Sequence, residues 1–187
     1  HRSRRHSGHP ARDIKMAVNI FFEAKAPAAL AGQGGLFKKA ARAGLGRARA
    51  ARSVNLIFTG DAAIKGLNRR FFKKNRFTDV IAFSSPPSPA PGAVWGEIYI
   101  CLPQARRQAA AMGHSLVTEL LVLTTHGALH LAGMEDGTPA LRGKMNAKTV
   151  LLLKKLVTTQ VDRIQEPEFR MVEPFSSPTF SFPTSDS

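Results

Sequence analysis

The apolar run Leu116–Leu131 limits this chain more than any other feature, because it carries His126 and His130 near its end and is followed by Gly133. Helical geometry puts two residues four apart on one face, with their Cβ atoms about 6 Å apart. Glycine takes the left-handed conformation that stops helices, so the chain can turn back at Gly133 and bring a carboxylate oxygen from Asp136 or Glu135 toward both imidazoles. Two imidazoles and a carboxylate make a three-ligand metal site. Taken alone, the histidines read better as buried side chains with ordinary hydrogen-bond partners, and the two acids equally well as loop carboxylates in water. Glu119 and the histidines make the run too polar to cross a bilayer, so the expectation is a helix within a soluble domain.

Around that helix, strands and helices alternate. Val18–Phe22 reads as a first strand, residues 36–52 as a basic helix rich in Ala, Arg and Leu, and residues 54–58 as a second strand. Thr59, Gly60 and Asp61 supply a turn and an N-cap for a helix carrying Ile64, Leu67, Asn68 and Phe71. Residues 79–84 and 96–100 read as two further strands, paired as a hairpin across the Pro- and Ser-rich stretch 85–92. Pro103 opens a helix that Gly113 ends, Ser115 caps the histidine-bearing helix, and residues 141–157 make a last amphipathic helix. This order predicts an α+β fold, an α/β-like sandwich with a mixed sheet of about four strands and about five helices.

The chain of 187 residues suits one domain with tails. We divide it into a basic N-terminal extension (1–16), a folded domain (17–158) and a Pro-, Ser- and Phe-rich C-terminal tail (159–187). The composition shifts most visibly from Gln165, and Phe169, Phe175, Phe180 and Phe182 suit anchors on a partner surface, in a stretch with too little apolar area to fold alone. Lys and Arg number 27 against 13 acids, a net charge of +14 that favours phosphate-rich partners. Arg69, Arg70, Lys73, Lys74 and Arg76 are the candidate RNA-binding residues, with Arg42, Arg47, Arg49 and Arg52 as weaker support. Arg2, Arg4, Arg5 and Arg12 precede the first acid, Asp13; that pattern, with a chain starting at His1, fits a processed organellar protein, and the expected location is mitochondrial or another organelle. The lone Cys101, in an expected strand, reads as a buried apolar residue.

Several short pieces, in this order, resemble the YbeY family of metal-dependent endoribonucleases: Leu67-Asn68, Thr78-Asp79-Val80, Gly96-Glu97-Ile98, Thr118-Glu119-Leu120 and residues 126–136. The resemblance spans residues 54–156. It implies a small α/β fold, a zinc-like ion held by three histidines, cleavage of single-stranded RNA, and work in ribosomal RNA maturation and ribosome assembly. Its implied partners are rRNA, ribosomal proteins and assembly factors of a pre-ribosomal subunit, with no membrane. The implied metal ligands and catalytic residues fall on His126, His130 and Asp136.

Two positions depart from the family pattern. Asp136 stands where the family has a third histidine; zinc accepts a carboxylate there, but an anionic ligand donates more charge to the metal and weakens its activation of water. Phe72 stands where the family has an arginine, and phenylalanine cannot stabilise charge building on phosphoryl oxygens. These departures favour a ribosome biogenesis factor that binds rRNA with impaired cleavage, over an active single-strand-specific endoribonuclease. A zinc peptidase is the remote third reading, since such enzymes place a glutamate directly after the first histidine and this chain has Gly127.

Overall fold

The computed structural model describes residues 17–23, 25–46, 53–73, 78–86 and 93–164. Lys74, Arg76, Arg47, Arg49 and Arg52, the basic N-terminal extension and the phenylalanines of the tail lie outside the described residues.

Among the described residues four strands build one sheet: β1 (Val18–Phe22), β2 (Ser53–Thr59), β3 (Val80–Ser84) and β4 (Val94–Cys101). Their order across the sheet is β1-β2-β4-β3. β1, β2 and β4 run parallel, and β3 pairs antiparallel with β4, as the hairpin reading expected. Parallel neighbours need long crossovers, and helices supply them. Helix α1 (Gly34–Leu45), preceded by a 3-10 turn at Ala28–Leu30, links β1 to β2; α2 (Asp61–Phe72) follows β2; α3 (Leu102–Met112), α4 (Leu116–Leu131) and α5 (Pro139–Ile164) follow β4. The mixed four-stranded sheet with five α-helices is the α+β architecture expected from the sequence.

Alternation along the strands divides the core between the two faces. Val54, Leu56 and Phe58 of β2, with Ile98 and Ile100 of β4, point to one face and pack with Phe37 and Leu45 of α1 and with Leu120, Leu123, Ala128 and Leu131 of α4. On the other face α2 brings Ile64 and Leu67 against Ile81, Phe83, Tyr99 and Cys101. The core centres on α4, which contacts α1, α3, α5, β3 and β4. It buries residues on every side, the mark of a helix enclosed by its own domain.

Gly127 lets α4 approach the sheet closely. A Cβ on Gly127 would lie 2.6 Å from Ile98 Cγ2 and 3.1 Å from Val80 Cγ2, so the helix sits on β3 and β4 at a distance only glycine permits.

Several boundaries differ from expectation. The basic helix stops at Leu45, with Gly46 at its C-cap, rather than running to Arg52, and β2 begins at Ser53. The N-cap of α2 is Gly60, with no side-chain hydrogen bond; Asp61 lies inside the first turn, where it accepts from Arg107 Nη2 at 2.8 Å and from the Cys101 thiol at 3.2 Å. The last helix starts at Pro139, because Thr138 Oγ1 accepts from Leu141 N at 3.2 Å, and it runs to Ile164. Ser115 caps α4 as expected, its Oγ accepting from Thr118 N at 3.1 Å.

Candidate metal centre

Helix α4 carries the first two donors out of the core on its last two turns. His126 and His130 face one another with ring centroids 4.8 Å apart and planes at 75°, and their Nε2 atoms are separated by 3.1 Å. The helix then ends in a tight glycine turn. Gly133 has φ 95°, its N–H donates to His130 O at 2.9 Å, and Met134 N–H donates to Leu129 O at 3.0 Å. This paired arrangement satisfies the last carbonyls of the helix and reverses the chain. The reversal returns Asp136 to the histidines, its two oxygens 3.6 Å from His126 Nε2 and 3.9 Å from His130 Nε2.

The same turn fixes a tautomer. Met134 O lies 3.0 Å from His130 Nδ1, and a carbonyl can only accept, so Nδ1 carries a proton, and in the neutral ring Nε2 then presents its lone pair toward Asp136 and His126. Metal-binding histidines are held in this way by a second hydrogen bond from the other ring nitrogen. His126 is the more buried of the two, and its pKa lies below the usual value, first because burial disfavours the charged ring and next because His130 is close; Asp136 and Asp79 oppose the shift. Neutral imidazole is the form that binds metals.

The donor set fits a divalent ion of the zinc type. A tetrahedral ion about 2.0–2.1 Å from each ligand spaces its donors roughly 3.4 Å apart. The three donors, all within 4.8 Å of one another, are arranged on that scale. Of the two acids named from sequence, Asp136 is the one brought in; Glu135 lines the same cleft but does not join the converging donors.

The donors form one side of a cleft of about 520 Å³. Asn68 and Phe72 from the end of α2, Thr78 and Asp79 before β3, and Val80 to Ala82 on β3 complete it. Asp79 is held in place by Val80 N–H on one oxygen and by Gln108 Nε2 on the other, both at 2.8 Å, which ties the cleft wall to α3. Phe72 does face the cleft, so the position expected to carry a guanidinium carries a ring, and no Lys or Arg is among the described lining residues. Arg69, Arg70 and Lys73 are exposed at the end of α2, outside that lining. Glu97 lies on the sheet, where it accepts from Tyr99 OH at 3.1 Å, and Glu119 is buried in the first turn of α4, where it accepts from His114 Nε2 at 2.6 Å. Gln108 and the Met134 carbonyl were not foreseen. The turn signal at Gly133 could have indicated the second; nothing in the sequence indicates the first.

Residues 35–157 match the family described as Endoribonuclease YbeY. The chain belongs to this family. A relative named Endoribonuclease YbeY from Elusimicrobium minutum is 35% identical over 144 residues, covering 75% of this chain and 100% of the relative. Another of that name, from Nautilia profundicola, is 39% identical over 105 residues, covering 56% of this chain and 73% of the relative. The solution structure of a Thermotoga maritima protein shares the fold, with a TM-score of 0.51 and 24% identity, over 82% of this chain and 97% of that one.

YbeY membership and the packing of α4 together remove the peptidase reading. The position after His126 is turned into the sheet against Ile98, so no side chain there could reach the cleft as a general base. Gly127 serves the fold.

Proposed function

We propose that this chain acts on ribosomal RNA during maturation of a ribosomal subunit, binding single-stranded RNA at the cleft over a zinc ion held by His126, His130 and Asp136, with cleavage slow relative to binding. The observation that carries the reading is the convergence of those three donors on the wall of a cleft, in a member of the YbeY family. Its protein contacts are ribosomal proteins and assembly factors.

When bound, zinc supplies Lewis acidity toward a phosphodiester and makes water more acidic. The chain's own residues orient and tune the centre. Met134 O holds the His130 ring, burial keeps His126 neutral, and Asp136 adds a negative charge that offsets part of the ion's. The described lining offers no cation to meet charge developing on phosphoryl oxygens, which is why binding outruns cleavage. Arg69, Arg70 and Lys73 lie outside it, where they suit phosphates flanking the cleft.

A full-rate endoribonuclease is the second reading, favoured by the intact fixing of His130 and the open cleft. One experiment separates the two. Elemental analysis of purified protein should give one zinc per chain, RNA binding should weaken steeply with salt, and precursor rRNA should be cut slowly by the wild type and not by His130→Ala. Absence of RNA binding would overturn both readings, and fast cleavage would select the second. The arginines of the first twelve residues support an organellar, mitochondrial address, which imaging of a full-length fusion would test.

A further inference from the structure

Beside the metal centre lies an aromatic surface that binding of an ion does not use. Phe72 lines the cleft and also stacks on Phe83, with centroids 5.8 Å apart and planes at 19°, while 45% of its surface stays open to solvent. Phe71 is 52% exposed and packs on the same ring with centroids 4.5 Å apart. Phe83 in turn meets Tyr99 edge-on at 6.1 Å, so the rings run from the cleft onto the outer face of the sheet. Scattered exposed apolar side chains need no explanation, but adjacent open rings at the mouth of a cleft are a recognition surface.

Charge decides the occupant. The guanidinium of Arg70 lies over the Phe71 ring, 5.3 Å from its centroid, and Arg69 and Lys73 are exposed on the same helix end. An exposed ring at Phe72, with cations held beside it at Arg69, Arg70 and Lys73, matches an unpaired nucleic-acid strand, whose bases stack while its phosphates meet the cations. We infer that Phe72, flanked by Phe71, forms a base-stacking subsite that holds a nucleotide flanking the metal centre, with Arg70 and Lys73 on the adjoining phosphates. The inference rests on the RNA reading above and adds the part of the RNA that is gripped: a base, through its π face and without choice of sequence.

The test compares a fluorescent oligouridylate with an abasic ribose-phosphate strand of equal length and charge, by anisotropy at fixed salt. Stacking predicts that the full-length protein binds the base-bearing strand about tenfold more tightly. Phe72→Leu should remove most of that preference, Phe72→Tyr should keep it, and Arg70→Ala should weaken both strands alike and flatten the salt dependence. Equal binding of the two strands by the wild type would overturn the stacking subsite and leave the RNA reading standing, with no variant needed. Binding of neither strand would overturn both. If Phe72→Leu leaves oligonucleotide binding unchanged but loses association with isolated ribosomal subunits, the rings contact protein and the inference fails. Phe71→Leu provides a second variant should Phe72→Leu unfold.

Discussion

His130 and Met134 are joined across the end of α4 by a hydrogen bond from the ring Nδ1–H to the main-chain oxygen, 3.0 Å long. The acceptor sits where it does because Gly133 holds φ 95°. Helix termination and ligand orientation are therefore one structural event.

Gly133→Ala should disturb both at once. A Cβ at that backbone angle is strained, costing about 1 kcal/mol or more, and the Met134 oxygen would move away from the ring. Loss of such a supporting bond lowers metal affinity by about 10- to 100-fold. Zinc competition with a fluorescent chelator should show that loss, and unchanged affinity would mean that Met134 does not support His130.

Gly127→Ala tests how closely α4 must lie on the sheet. The new methyl would sit 2.6 Å from Ile98 Cγ2, an overpacking that costs about 1–3 kcal/mol and exceeds the gain of about 1 kcal/mol in helix propensity. Thermal melts should show the variant less stable than wild type, with a zinc site still able to fill.

Glu119 is only 6% exposed, and its partner is His114, at 2.6 Å. His114→Ala strands a buried carboxylate and should lower stability by about 2 kcal/mol in urea titrations. Adding Glu119→Leu should recover part of that loss, because removing both polar groups is cheaper than removing one.

Cys101 should be inert in the native protein. Burial pushes its thiol pKa from 9.0 to about 11, helped by the Asp61 carboxylate that accepts its hydrogen. At pH 8 a thiol reagent should modify it only as fast as the chain opens. Below about pH 9 the thiol is neutral in both states; between there and about 11 only the unfolded chain ionises, so stability should fall as pH rises across that window.

Local chemistry was legible in the sequence, and long-range geometry was not. Ser115, Gly113 and Gly133 announced helix ends because caps and left-handed turns are written in single residues. Thr138 and Pro139 carry an equally local start signal for α5, two residues ahead of where its apolar periodicity begins. The parallel pairing of β1 with β2 and of β2 with β4 has no local signature, since the partners are set by crossovers of many residues. Likewise His126, His130 and Asp136 could be named from spacing and a turn, whereas Gln108 on Asp79 and the stacking of Phe72 on Phe83 join segments with no shared pattern. Gly127 was noted for the glutamate it lacks; its contact with Ile98 supplies the reason for the glycine itself.

The centre is anchored unequally. His126 and His130 grow from a helix wedged among three others and the sheet, while Asp136 rides a short surface turn. The packed helix fixes where the imidazoles stand; exchanging the residue at 136 changes a donor on a turn that packing holds less firmly. One substitution at that turn would therefore change the donor offered to a cation and the charge beside it, while the helix and sheet that carry the imidazoles stay as they are.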